Sequence, residues 1–226
     1  MASRTGGQIL VANLLAQRAM HVFGVPGESF LAVLDALHDV RDRLPFIACR
    51  QEGGAAYMAE ACGKLTGRPG IAFVTRGPGA SNAAVGIHTA MQDSTPLIVF
   101  IGQVGSDTVD REAFQEIDYR RMYGSVVKWA AQIDRADRVP EYVAHAYRIA
   151  MSGRPGPVVI ALPEDMLTAT ADVADVPYVD AVPAVPADDD VRAVERYLRE
   201  ARQPLVIVGG SRWDDEARDA LRTFAD

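Results

Sequence analysis

Residues 71–101 read IAFVTRGPGASNAAVGIHTAMQDSTPLIVFI. Two uninterrupted apolar runs, Ile71 to Thr75 and Leu97 to Ile101, enclose Gly77-Pro78-Gly79 and a helical segment, Ser81 to Met91. A strand with one face in water alternates apolar and polar residues. A strand apolar at every position belongs inside a parallel sheet covered on both faces. The Gly-Pro-Gly group breaks the first strand, and the helix supplies the crossover that a parallel pair requires.

The alternation repeats on either side of this unit. Gly7 to Met20 carries Ile9, Leu10, Ala12, Asn13, Leu14 and Ala16 at helical spacing. A short strand, His21 to Phe23, then runs into Gly24-Val25-Pro26-Gly27. Phe30 to Leu37 is helical, with Leu31, Leu34 and Leu37 on one face. Phe46 to Cys49 reads as a strand, and Glu52 to Leu65 as an Ala-rich helix ended by Gly67 and Pro69. Val139 to Ala150 and Val158 to Leu162 add a further helix and strand. The fold class is therefore α/β: over residues 1–170, a doubly wound, mostly parallel sheet with helices on both faces. Residues 171–187, with Pro177, Pro183 and Pro186, read as an extended linker over a surface. A helix at Asp188 to Arg202, a strand at Pro204 to Val208 and a helix at Trp213 to Phe224 follow. They make residues 188–226 the start of a second α/β domain, with too few strands to close a core of its own.

Composition narrows the function. The 226 residues are 49% hydrophobic and 23% charged, an ordinary globular balance. The net charge of −7 and the lack of a basic run argue against a nucleic-acid partner. No apolar run reaches the ~20 residues of a membrane helix, and the N-terminus lacks a signal-type apolar core. Cys49 and Cys62 form no C-x-x-C pair, and no histidine stands at ligand spacing from them. Reduced thiols are expected, and with them a cytoplasmic location.

The glycine loops are incomplete as nucleotide motifs. Asn82 stands where the dinucleotide fingerprint needs its third glycine, and no acidic residue ends the next strand. Gly63-Lys64 is followed by Leu65 and has Met58 in place of the first P-loop glycine. The histidines His21, His38, His88 and His145 lie in different elements, and no G-x-S-x-G elbow occurs. Asp188-Asp189-Asp190 sits at a helix start, where carboxylates favour the dipole and cap the helix. Glu52 could do no more than that, since a carboxylate in a first turn contributes a few tenths of a kcal/mol. The odd feature is Gly53-Gly54 behind it. Glycine there weakens the helix by up to about 1 kcal/mol each relative to alanine. It also allows another group to approach the backbone. A buried carboxylate beside a ligand has a raised proton affinity and can share a proton with a ring nitrogen.

Several motifs, in order and at matching distances, carry a resemblance to a known family. Arg50-Gln51-Glu52-Gly53-Gly54-Ala55-Ala56 with Ala59-Glu60 resembles the catalytic-glutamate segment of thiamine-diphosphate enzymes of the acetolactate synthase, pyruvate oxidase and decarboxylase type. Thr75-Arg76-Gly77-Pro78-Gly79-Ala80-Ser81-Asn82 resembles the second signature. Asp93-Ser94-Thr95-Pro96-Leu97, Gly102-Gln103-Val104, Ala113-Phe114-Gln115-Glu116 and Ser152-Gly153-Arg154-Pro155-Gly156-Pro157-Val158 continue it. The resemblance implies that residues 1–170 are the pyrimidine-binding domain. Glu52 is then the catalytic residue, bonding a ring nitrogen of thiamine diphosphate and promoting its imino tautomer. Pro26, Thr75, Pro78 and Asn82 shape the cofactor pocket, Phe114 and Gln115 face the substrate, and Lys128 matches a lysine near the substrate channel. The implied reaction is decarboxylation and carboligation of a 2-keto acid such as pyruvate. Mg²⁺ would be held by another domain, FAD is a further cofactor in part of the family, and the assembly is a homodimer or homotetramer. No metal ligand is assigned on this chain, and alone it should be inactive.

Two places depart from the synthase pattern. Glu28-Ser29 stands where small residues usually follow Pro-Gly, and Gly105-Ser106-Asp107 stands where Pro and basic residues usually follow Gly-Gln-Val. A related decarboxylase, carboligase or oxidase would keep the same motifs. A split enzyme with its diphosphate domain on another chain is an alternative, as is a non-catalytic module. The intact Glu52 segment argues against the latter.

Overall fold

The computed structural model describes residues 3–210 and 213–225. A short strand β1 (Arg4–Thr5) leads into α1 (Gly6–Ala16), which begins with a full capping box: Thr5 accepts from Gln8 N–H, and the Gln8 side chain accepts from Thr5 N–H. β2 (Val22–Gly24), α2 (Leu31–Asp39), β3 (Phe46–Ala48), α3 (Glu52–Thr66), β4 (Gly70–Val74), α4 (Gly77–Asp93) and β5 (Leu97–Gln103) follow. Then come α5 (Tyr119–Tyr123), β6 (Trp129–Gln132), α6 (Val139–Met151), β7 (Pro157–Pro163), α7 (Glu164–Thr168) and β8 (Thr170–Ala171). Six strands form one parallel sheet in the order β3-β2-β4-β5-β7-β6. This is the α/β, parallel, two-sided architecture expected from the sequence.

The pleat sorts the core. In β5, Ile98 and Phe100 pack in one cluster with α1, α2 and α6, where Phe73 stacks on Phe100 at 4.8 Å. Leu97, Val99 and Ile101 enter the other, with Ala55, Ala56 and Ala59 of α3 and Ala80, Ala83 and Ala90 of α4. Small side chains on both helices let α3 and α4 lie close together over the sheet.

Boundaries differ from the sequence reading in instructive ways. α4 starts at Gly77, not Ser81. The N–H groups of a helix's first turn have no intrahelical acceptor, so Pro78, which lacks an N–H, fits there and Gly-Pro-Gly opens the helix instead of interrupting it. Gly67 ends α3 in the left-handed region (φ 67°), as the sequence suggested. The triplet Asp188-Asp189-Asp190 lies in the first turn of α8 (Asp188–Glu200), but the N-cap is Ala187 and no side chain caps it. The segment 204–208 pairs with no strand among the described residues, and Leu205 and Ile207 are exposed. A lone strand cannot satisfy its backbone. α8 and α9 (Asp215–Ala225) bury no residue. No described helix is long and apolar enough to cross a membrane.

The stretch after β8 has no helix or strand up to α8, yet its first half is tied down. Asn13 of α1 and Gln17, the C-cap residue one turn on, both fully buried, act as docking groups. Asn13 Nδ2 donates to Asp175 Oδ1 (3.0 Å) and its Oδ1 accepts from Val176 N–H (2.9 Å). Gln17 donates to Pro177 O (2.8 Å) and accepts from Val179 N–H (2.9 Å). Arg18 and Arg68 both stack on the Tyr178 ring, at 4.2 and 4.3 Å. Asn13→Leu removes both bonds and leaves the half-buried Val176 N–H without its side-chain acceptor. Such a loss costs about 1–3 kcal/mol, to be read as a lowered urea midpoint with faster proteolysis confined to the stretch after β8.

Candidate active site

The sheet order sets the location. From β2 the chain leaves toward β3, and from β4 it leaves toward β5, although β2 and β4 are neighbours. In open parallel sheets, the crevice at such a reversal, at the carboxyl ends of the strands, receives ligands. The loop after β2 holds Pro26, the loop after β3 leads to Glu52, and the loop after β4 holds Thr75 and Pro78.

Glu52 is the first residue of α3 and is half-buried. Asn82, on the second turn of α4, donates from Nδ2 to Glu52 Oε2 at 2.9 Å. This bond fixes the carboxylate's orientation and leaves Oε1 without a hydrogen bond among the described residues. The glycines behind Glu52 have different duties. A Cβ on Gly53 would sit 3.1 Å from Asn82 O, so Gly53 is where α4 comes close. At Gly54 nothing lies within 4 Å. A Cβ on Gly79 would sit 3.4 Å from Glu52 Oε1 and 2.9 Å from Thr75 Cγ2, so that position is open only because it is glycine.

The remaining residues continue this surface. Gly27 abuts Thr75, and the Thr75 hydroxyl is 2.9 Å from Ser29 Oγ. Pro26, Pro78 and Asn82 are exposed. Gly77 N–H donates to Gln115 O at 3.0 Å, bringing the loop before α5 to the head of α4. Phe114 beside it is 72% exposed. In that loop Asp110, Glu112 and Gln115 all have positive φ. Non-glycine residues are held so only where surrounding contacts over-determine them. Here the Glu116 carboxylate accepts from Asp110 N–H (2.9 Å) and Ala113 N–H (3.2 Å). A polar pocket of about 740 Å³ lies between this loop and the ends of β5, β6 and β7.

Lys128 does not join the group. Parallel pairing of β6 with β7 sets Trp129 opposite Val158, and Lys128 N–H bonds Pro157 O at 2.8 Å. That is the amino end of the strands, across the sheet from Glu52. The Lys128 ammonium bonds the carbonyls of Ile149 and Ser152 (2.7 Å for the latter), at the C-terminus of α6 where a cation is favoured. The substrate-side placement expected for Lys128 is corrected on this ground. Glu60 of the signature is structural: it is buried, accepts from Thr95 Oγ1 at 2.8 Å and pairs with Lys64 at 3.5 Å.

Sequence reading gave no role to Arg76, Glu28 or Glu164. Arg76 is 7% exposed, donates to Glu28 Oε1 at 2.9 Å and also pairs with Glu164. Tyr119 lies near, its buried hydroxyl without a hydrogen-bond partner among the described residues. Burial pushes its phenol well above the ordinary range, against the pull of Arg76. Glu28 and Arg76 are opposite charges on two site loops, and that complementarity was the available signal. Among the described residues no group of three or more His, Cys, Asp or Glu could hold a metal ion.

The second departure is also internally paired. Ser106 donates to Asp165 from its hydroxyl and from its N–H (3.0 Å). Burial raises the Asp165 pKa, but these bonds and the backbone N–H groups of Asp165 and Met166 outweigh it, and the net shift is downward. A depressed folded pKa gives stability that is present above the unfolded carboxyl value and is lost as pH falls through the folded one. Asp165→Asn should therefore flatten the acid limb of the urea-midpoint profile and leave the neutral region's slope unchanged.

Known proteins resemble this chain over most of its length. The family described as thiamine pyrophosphate enzyme, N-terminal TPP binding domain, matches residues 4–122. The acetolactate synthase of Bacillus subtilis is 34% identical over 98% of this chain and 39% of its own length. Acetolactate synthase isozyme 3 large subunit of Escherichia coli is 36% identical over 93% of this chain and 38% of its own. For the mitochondrial acetolactate synthase catalytic subunit of Aspergillus candidus the identity is 33%, over 91% of this chain and 31% of that protein. The chain thus spans between about a third and two fifths of these relatives. On the family match and these identities together, this chain belongs to the thiamine pyrophosphate enzymes and carries their N-terminal TPP-binding domain.

Proposed function

We infer that the surface around Glu52 grips the aminopyrimidine of thiamine diphosphate and serves a decarboxylation and carboligation of 2-keto acids such as pyruvate. The carrying observation is the Glu52 carboxylate, oriented by Asn82 and open at Oε1, at the reversal point of the sheet. The residues fit a flat, nitrogen-bearing ring. Glycine at position 79 leaves space beside Oε1, and Thr75 and the exposed Pro26 and Pro78 bound the same crevice.

When bound, the cofactor supplies an electron sink for cleavage beside a keto group. Glu52 holds and returns a proton at a ring nitrogen. Asn82 keeps its carboxylate aimed, because a donor on Oε2 leaves Oε1 for the ring. Thr75, Pro26 and Pro78 fix the ring's tilt, and Phe114 and Gln115 stand on the substrate side. Relatives more than twice as long support placing the Mg²⁺ and diphosphate site outside these residues. A homodimer or homotetramer, in which another subunit completes the site, is proposed from the family resemblance alone. FAD remains part of the proposal only as a second cofactor. The unbridged Cys49 and Cys62 are in keeping with a cytoplasmic location. The Glu28–Arg76 pair, where synthases carry small residues after Pro-Gly, favours as a second reading a related decarboxylase or oxidase with the same cofactor chemistry.

Glu52→Gln in the assembled enzyme should leave folding intact and lower turnover by about 10²–10⁴-fold, the usual loss on removing a proton-transfer group. Turnover at the unmodified rate would refute the role of Glu52. The isolated 226-residue chain should turn over no pyruvate, and measurable turnover would overturn the placement of the diphosphate site.

A further inference from the structure

The geometry points to Arg76 as a positioning residue, whose buried guanidinium joins the loops after β2, β4 and β7 and thereby sets the turn that presents Thr75, Pro78 and Asn82. The inference rests on the cofactor reading above for its purpose, but not for its geometry.

Arg76 lies between the end of β4 and the start of α4, flanked by Thr75 and by Gly77. Its side chain turns inward and is nearly covered. One terminal nitrogen donates to Glu28 Oε1 at 2.9 Å, in the 3-10 turn after β2. The other pairs with Glu164, the first residue after β7. β2 and β7 flank β4 and β5 in the sheet, so one side chain ties together loops from both sides of the site. A guanidinium suits this because its rigid fork presents donors in two directions and stays charged. The guanidinium is nearly covered, whereas Glu28 and Glu164 reach it from the surface; a covered charge that loses its partners is unfavourable, which favours this one arrangement of the loops. The backbone around Arg76 follows. Ala80 N–H donates to Arg76 O at 2.9 Å and Gly77 N–H to Gln115 O at 3.0 Å, fixing the first turn of α4 and hence Asn82 one turn later. Ser29, adjacent to Glu28, bonds Thr75. Arg76 touches none of the atoms assigned to the ring. It acts through the turn.

Amide hydrogen exchange on the cofactor-free protein reads this directly. In Arg76→Met, exchange at Gly77 and Ala80 should accelerate by about tenfold or more, while β5 amides keep their rates, as in a local opening. Arg76→Lys should recover part of the protection. In the assembled enzyme, thiamine diphosphate affinity should fall in step with the exchange rate. Unchanged rates at Gly77 and Ala80 would overturn the inference. So would an equal acceleration in β5, which marks a purely global role. If Arg76→Met does not fold, Arg76→Lys and Glu28→Gln decide. The same local pattern at smaller amplitude supports the inference, and wild-type rates overturn it. Failure of the wild-type enzyme to bind thiamine diphosphate would sink the cofactor reading and leave the exchange result to judge Arg76.

Discussion

A parallel sheet with helices on both faces has no free face for chemistry. β4, β5 and β7 are buried at every position. Reactive groups can therefore project only from strand ends, and the loops at the carboxyl ends converge where the winding reverses. The position of Glu52, Thr75 and Asn82 follows from that covering requirement before any detail of their side chains.

The second requirement is closeness. Glu52 and Asn82 belong to different helices, and their hydrogen bond needs α3 and α4 to run nearly in contact. Alanine on both helices and glycine at position 53 make that possible. Gly53, which weakens α3 locally, thus serves the hydrogen-bonded pair Glu52 and Asn82. The trade is a few tenths to about 1 kcal/mol of helix propensity against a carboxylate held in one orientation.

The apolar strands and Ala-rich helices were legible because their patterns are local. Continuous runs such as Leu97 to Ile101 can have only one environment. The Glu52 and Thr75–Asn82 segments were legible as motifs, and their adjacency follows from the topology. What could not be read has a long-range cause. Lys128 looked like a channel lysine until strand register put it at the other end of the sheet. The four residues of β6 carry too little pattern to be noticed. Glu28 and Arg76 lie 48 positions apart, and only folding brings them to 2.9 Å. The segment 204–208 has the composition of a strand, and composition does not supply a partner.

The buried Asn13 and Gln17 meet Asp175 through Val179 across 160 to 163 positions. Arg4 and Thr5 likewise pair with residues about as far along. α1 packs against α2, its near neighbour in sequence, but Asn13 and Gln17 meet their partners only once residues 175–179 are present. Contacts so far apart in sequence slow folding, because the intervening chain must be ordered first. During synthesis, the amides of Asn13 and of the C-cap Gln17 wait for a segment not yet made, and nascent chains are exposed to misassembly in that interval.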